Sequence, residues 1–424
     1  MKSLWGKRAL AILLGASLAG ASGGFGAPAA SAAGASAGPA VRIVLDGYNL
    51  PFDAAPRTEQ GTTLVPFRPI AEALGISVVW DAKTKTVTAV GSGADGADAK
   101  VVLRVGQKTA QVNGSAVALS AAPVVSGGRV LIPLAFFSRQ FGAAVAWDAA
   151  NRTVEIKSPK RAMYVQAFYA LRSYPQIDRL KTLNSAAFGW TRIDENGELV
   201  TDGRDFAWPK PDGDVTPESI VQRVNGETYL MAFAVDGNRE LTKMLTDETL
   251  RARSIDKLAA LAKDSGFGGI MLDFEGLALK DDPLAAQKAL NDYVKLLAAK
   301  AAPDGLKIAL AVPPPNGSYK GYDYQTLGRL ADHLVLMAYD YIRQGTPDPI
   351  GKIDEAIRLT LNAGVPKSKL LLGINLFNEN EKTIVPIIGL AKRYDLKGVS
   401  FWRLGLMSEA EMAAIDASVT KEGA

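Results

Sequence analysis

From Arg161 to Trp402 the chain repeats one alternation eight times: a short apolar run followed by a longer amphipathic stretch. The expected strands are 163–168, 186–190, 229–235, 269–274, 307–312, 334–339, 370–375 and 398–402. Short apolar runs separated by helix-length stretches read as parallel strands with crossover helices. Eight such units in roughly 260 residues have the size and rhythm of a closed (β/α)8 barrel, an α/β fold.

That fold places its working residues at the carboxyl ends of the strands. Those ends carry Trp190, Asp236, Glu275, Tyr339-Asp340 and Trp402. Carboxylates and flat rings are what a sugar cleft needs: acids for bond cleavage, rings for stacking on pyranose faces. Taken singly, each ring reads better as a plug of the barrel; their convergence on one rim favours a site.

The fourth run, Gly269-Ile270-Met271-Leu272-Asp273-Phe274-Glu275, ends in two acids two residues apart. Residues i and i+2 of a strand share a face, so Asp273 and Glu275 project together and Ile270, Leu272 and Phe274 project the other way. Crowding two carboxyls raises the pKa of one, and a carboxyl still protonated near neutral pH can serve as a general acid. The competing reading makes the acids an N-terminal cap for the helical stretch starting near residue 284. Spacing alone leaves the two readings even.

Residues 1–32 have the layout of a secretory signal peptide. Lys2, Lys7 and Arg8 precede the apolar stretch Ala9 to Ala21, and Ala30-Ser31-Ala32 offers a cleavage site. The apolar stretch is shorter than the ~20 residues of a spanning helix. Residues 33–41 read as a linker. Removing the three leader cations lowers the formal charge from +4 to +1, which leaves no basic patch for nucleic acid. The chain has no cysteine, hence no disulfide or thiolate metal site, and one histidine, His333, hence no multi-histidine site. His333 opens the sixth run, about 20 Å from its far end at about 3.3 Å per residue, and reads as structural. No metal or cofactor is expected.

Residues 42–158 repeat themselves. Leu64-Val65-Pro66 matches Leu131-Ile132-Pro133, Trp80-Asp81-Ala82 matches Trp147-Asp148-Ala149, and Thr86-Val87 matches Thr153-Val154, each 67 residues apart (131 − 64 = 67). Each copy reads as strand, helix, strand, turn, strand, an α+β unit, with the copies packed face to face and Trp80 and Trp147 in the core. These residues resemble the copper amine oxidase N-terminal domain, a stalk module of exported proteins of Gram-positive bacteria. The resemblance implies a spacer or adhesion module in contact with the cell wall; no copper ligand set accompanies it.

Residues 160–418 resemble glycoside hydrolase family 18, whose fourth strand carries DGxDxDxE. Aligned at the last acid, Glu275 takes the place of the catalytic Glu, Asp273 of the last Asp and Gly269 of the Gly. Met337-Ala338-Tyr339-Asp340 matches the sixth-strand MxYD segment, and Trp402 within GVSFWRLG the eighth-strand Trp. Tyr322-Asp323-Tyr324 and Leu327-Gly328 look like the branch of bacterial spore-germination and cell-wall hydrolases.

The resemblance implies an exported, secreted or wall-associated hydrolase of β-linked N-acetylglucosamine polymers, peptidoglycan ahead of chitin. Its implied mechanism is substrate-assisted and retaining, with Glu275, Asp273 and Tyr339 catalytic and Asp340, Trp402, Met337 and Trp190 binding sugar. Gly268 and Met271 stand where the family pattern has its first and middle Asp, which predicts a neutral Asp273 and an altered pH dependence. The short connection after the seventh run leaves no room for an extra lobe and predicts an open groove. The alternative is a glycan-binding or adhesion protein on the same barrel; retention of Glu275 speaks for the enzyme.

Overall fold

The computed structural model describes residues 41–170, 173–201 and 216–423. The expected signal peptide and nearly all of the linker lie outside the described residues. Among the described residues no helix is long and apolar enough to cross a membrane.

Eight parallel strands close into a barrel: β1 (Arg161–Tyr169), β2 (Ser185–Ile193), β3 (Glu227–Val235), β4 (Gly269–Glu275), β5 (Lys307–Val312), β6 (His333–Leu336), β7 (Leu370–Asn375) and β8 (Gly398–Trp402). Each pairs with its sequence neighbour, and β8 returns to β1, with Tyr164 opposite Gly398. Alternation divides the side chains into two layers. Ile270, Leu272 and Phe274 of β4 pack outward with the helices. Met271 points into the barrel beside Tyr229, Ala309 and Leu371. Helices such as Glu248–Asp264 and Pro283–Ala301 cover the outer layer with faces carrying Leu258, Tyr293 and Leu297, all fully buried.

The sixth strand is shorter than its apolar run. After Leu336 the chain leaves the ladder in two successive three-residue turns, Ala338 N donating to Leu336 O and Tyr339 N to Met337 O, each at 2.9 Å. Asp340 then adopts a left-handed conformation, φ +58°. Apolarity continues through this coil, so periodicity could not mark its start.

His333 closes the opposite end of the barrel. It is buried against the rings of Tyr164 and Tyr229, with Gln166 Nε2 at 3.3 Å. Burial holds its imidazole down at about 3, so it stays neutral.

In the preceding module both copies show strand, helix, strand, strand, as in Thr62–Pro66, Phe67–Ala73, Ser77–Asp81 and Thr86–Ser92. The copies join edge to edge rather than face to face. Val65 pairs with its own counterpart Ile132, flanked by Leu64 with Pro133 and Pro66 with Leu131, so a local two-fold axis runs through that pair. Trp147 departs from expectation. It is 51% exposed on an edge strand, whereas Trp80 packs against the module's core.

The module is fastened to the barrel helix Ile384–Arg393. Asp46 accepts hydrogen bonds from Ser158 N (2.8 Å) and Oγ (2.6 Å), and Lys392 Nζ lies 3.9 Å away. Gly389 permits the approach, since a Cβ there would meet Asp46 Cβ at 2.6 Å.

Candidate active site

β4 delivers both acids to the open end of the barrel. Asp273 is buried, and its Oδ1 has no hydrogen-bond partner among the described residues. Such an atom is costly unless the carboxyl is protonated or a ligand meets it. Burial, and after it the neighbouring Glu275, push Asp273 well above the usual carboxylate range. Glu275, one step further out and part-buried, is pushed up to about 7, first by burial and then by Asp340. The helix after β4 is capped by Asp282, which accepts from Leu284 N at 2.9 Å. The pair is therefore not used as a cap.

Two hydrogen bonds and a glycine turn hold the backbone around Glu275. Tyr322 Oη donates to Phe274 O at 2.7 Å, Asp236 N donates to Glu275 O at 3.0 Å, and Gly276 turns the chain with φ +87°. Asp236 itself accepts from Thr242 N and Oγ1 and is committed to the helix Glu240–Thr246. It is a structural residue rather than a member of the site.

The coil after β6 brings Tyr339 to the pair. Burial raises its phenol far above the ordinary value, followed in size by the charges of Asp273, Glu275 and Asp340. Asp340 is gripped from β7 and the loop after it: Asn375 Nδ2 and Asn378 Nδ2 donate to Oδ1 at 3.1 and 2.8 Å. Asp348 accepts from the backbone N of Asp340 and Tyr341 and from Asn378, and its own N donates to Glu379. Asn375, Asn378, Asp348 and Glu379 are buried. Sequence reasoning missed all four, because they lie at a strand end or in loops with no periodicity to flag them.

Glu275, Met337, Tyr339 and Asp340 line one groove of about 480 Å³, walled on the far side by the Pro313–Tyr319 loop. Trp402, the last residue of β8, packs on Phe168 with ring centroids 5.3 Å apart and is grouped with Tyr339 in the inner layer. Trp190 belongs to β2, and its side chain lies outside the described residues. The connection from β7 to β8 holds a single helix, Ile384–Arg393, which leaves the groove without an added lobe. Among the described residues no three His, Cys, Asp or Glu side chains converge to hold a metal ion.

A carboxyl raised to about 7 beside a second raised carboxyl and a phenol can supply a proton to a leaving oxygen, the chemistry of general acid catalysis. The model of glycosyl hydrolases family 18 matches residues 160–386, more than half of the chain. The chain belongs to that family. The copper amine oxidase N-terminal domain matches residues 44–156. Among curated relatives of this family 18 chain, YdhD of Bacillus subtilis, whose name suggests a sporulation-specific glycosylase, is 24% identical over 56% of this chain and 58% of its own. The cortical fragment-lytic enzyme of Bacillus subtilis is 29% identical over 32% of either chain. The match thus spans less than two thirds of each relative. The spore cortex-lytic enzyme SleL of Bacillus cereus shares the fold at TM-score 0.50 and 17% identity, over 63% of this chain and 77% of that one.

Proposed function

We propose that the protein is an exported glycoside hydrolase that cleaves β-linked N-acetylglucosamine polymers, peptidoglycan in preference to chitin, with retention of configuration. One observation carries the reading: Glu275, raised to about 7, stands beside a buried Asp273 with an unpartnered oxygen, at the open end of a family 18 barrel.

Glu275 protonates the glycosidic oxygen while the substrate's own 2-acetamido carbonyl oxygen attacks the anomeric carbon. The acetamido N–H donates to the free Oδ1 of Asp273, which orients it, and the carboxylate that Glu275 becomes on giving up its proton balances the oxazolinium charge. Tyr339 donates to the acetamido oxygen. Asp340, held by Asn375 and Asn378, binds the distorted sugar from the groove wall beside Met337, and Trp402 floors the subsite. Water deprotonated by Glu275 then opens the oxazolinium ring.

The peptidoglycan preference is supported by the cortex-lytic names of relatives and by an open groove suited to a cross-linked polymer. The test is sugar release from purified peptidoglycan and from chitin oligomers, with identification of the new reducing end. N-acetylglucosamine there, absent with Glu275→Gln, is the expected outcome. No release from either polymer between pH 4 and 8 sinks the reading.

A further inference from the structure

A second cleft, of about 880 Å³, is larger than the groove above Glu275. It opens where the duplicated module meets the end of the helix Ile384–Arg393, and its size lies within the range of ligand sites. From this cleft we infer a second carbohydrate site, which holds an acidic, carboxylate-bearing stretch of the wall polymer while the barrel mouth works elsewhere. The inference rests on the reading of the substrate as peptidoglycan.

The chemistry of the walls supports it. Trp80 and Phe52 of the module and Tyr394 of the barrel supply ring surface from both sides. Such rings are half-buried and carry apolar faces of the kind that stack on the C–H faces of sugars. The cations outnumber the acids, with Arg68, Arg129 and Arg393 against Asp53 and Glu72. Arg129 is occupied by Asp53 in an exposed ion pair at 2.5 Å, and Arg393 is stacked over Tyr48 and Tyr394 at 5.9 and 5.6 Å. Arg68 forms no ion pair among the described residues and stands exposed at the rim. A guanidinium fork beside a ring is suited to a sugar that carries a carboxylate.

The duplication provides an internal comparison. Architecture shared by the two copies should keep the same residue types at positions 67 apart, yet Arg68 corresponds to Ala135 and Glu72 to Arg139. Trp80 lines the cleft under the barrel's Arg393 and Tyr394; its counterpart Trp147 stands 51% exposed. The cleft takes Arg68, Glu72 and Trp80 from the first copy and Arg129 from the second, together with the barrel's Arg393 and Tyr394. The helix Ile384–Arg393 leads to the start of β8, so Arg393 and Tyr394 lie toward the barrel end opposite Glu275. One short glycan cannot fill both sites, whereas an anchored wall strand leaves the mouth free for another.

The test uses the full chain carrying Glu275→Gln, so that bound polymer is not degraded, and measures sedimentation with insoluble peptidoglycan before and after amidation of its carboxyls. Arg68→Glu and, separately, Trp80→Phe are expected to weaken binding about tenfold, as is amidation for the parent. Binding of neutral chitin oligomers is expected to stay the same. Equal binding by parent, Arg68→Glu and amidated polymer overturns the inference, as does a parent that does not sediment with peptidoglycan. In otherwise unmodified protein, Arg68→Glu should leave turnover of a soluble N-acetylglucosamine oligomer unchanged. Absence of that turnover in the unmodified protein would reject the hydrolase reading while leaving a binding loss by Arg68→Glu as support for the cleft.

Discussion

Tyr322 donates its phenolic hydrogen to the carbonyl of Phe274 at 2.7 Å, which fixes the backbone one residue before Glu275. Tyr322 is buried, so Tyr322→Phe leaves that carbonyl without its donor. The expected cost is about 1–3 kcal/mol of stability. Glu275 would also lose its fixed approach to the bond it protonates, so kcat should fall with KM nearly unchanged. Denaturant midpoints and initial rates on a soluble oligomer check both; unchanged kcat removes Tyr322 from any positioning role.

Glu275 links activity to stability. Its carboxyl titrates at about 7 in the folded chain against 4.5 in the unfolded one. Between those values the folded state holds the extra proton, so this raised carboxyl lowers stability progressively as pH climbs from 4.5 to 7. The loss is on the order of 3 kcal/mol. Glu275→Gln, which has no such proton to lose, should unfold at a higher temperature than the parent at pH 8 and at nearly the same temperature at pH 4.5. The parent's kcat should decline above about pH 7 as the donor ionises. Equal melting temperatures at pH 8 would show that the carboxyl is not raised.

Much of this arrangement could be read from the residues, for a physical reason. β5, β7 and β8 begin and end at the expected residues because an apolar run stops against polar or helix-starting sequence on both sides. The inward set Met271, Asp273 and Glu275 follows from strand alternation alone. The coil after Leu336 was hidden, because its residues are as apolar as the strand and are curled by local turns that periodicity does not register. Asn375 and Asn378 converge on Asp340 only once β7 lies beside β6, a relation of the closed sheet rather than of any local stretch. Trp147 and Trp80 each open a Trp-Asp-Ala segment. Trp80 lines the cleft beside the barrel's Arg393 and Tyr394, whereas Trp147 lies exposed on an edge strand.

Met271 fills the inner layer beneath Asp273 with no exposure to solvent. Met271→Asp would offer the unpartnered Oδ1 of Asp273 a hydrogen-bond donor, which favours the ionised form of Asp273. That charge in turn raises Glu275, so the alkaline limb of the kcat profile should move to higher pH. The new carboxyl is itself buried and raised, and the variant should therefore lose stability, about 2–5 kcal/mol, increasingly as pH rises above 4. A pH–rate profile that overlays the parent's would show that the apolar residue beneath Asp273 does not tune the pair.

Gly373 of β7 leaves room for the ring of Tyr339. A Cβ at that position would come within 3.1 Å of Tyr339 Cε1 and 2.8 Å of Leu336 O. The second contact is backbone and cannot swing aside, so Gly373→Ala must part β6 from β7 or tilt the phenol. Overpacking of this kind costs about 1–3 kcal/mol. Because Tyr339 faces Asp273 and Glu275, a tilt of its ring should also lower kcat at least about tenfold, the scale of about 1.4 kcal/mol in the barrier. Gly351→Ala is the matched control. That glycine sits in the helix Ile350–Asn362, where an added Cβ would meet nothing within 4 Å, and the change should be neutral or stabilising by up to about 1 kcal/mol. If both alanine variants match the parent in melting temperature and kcat, the close fit between Gly373 and Tyr339 contributes nothing to the site.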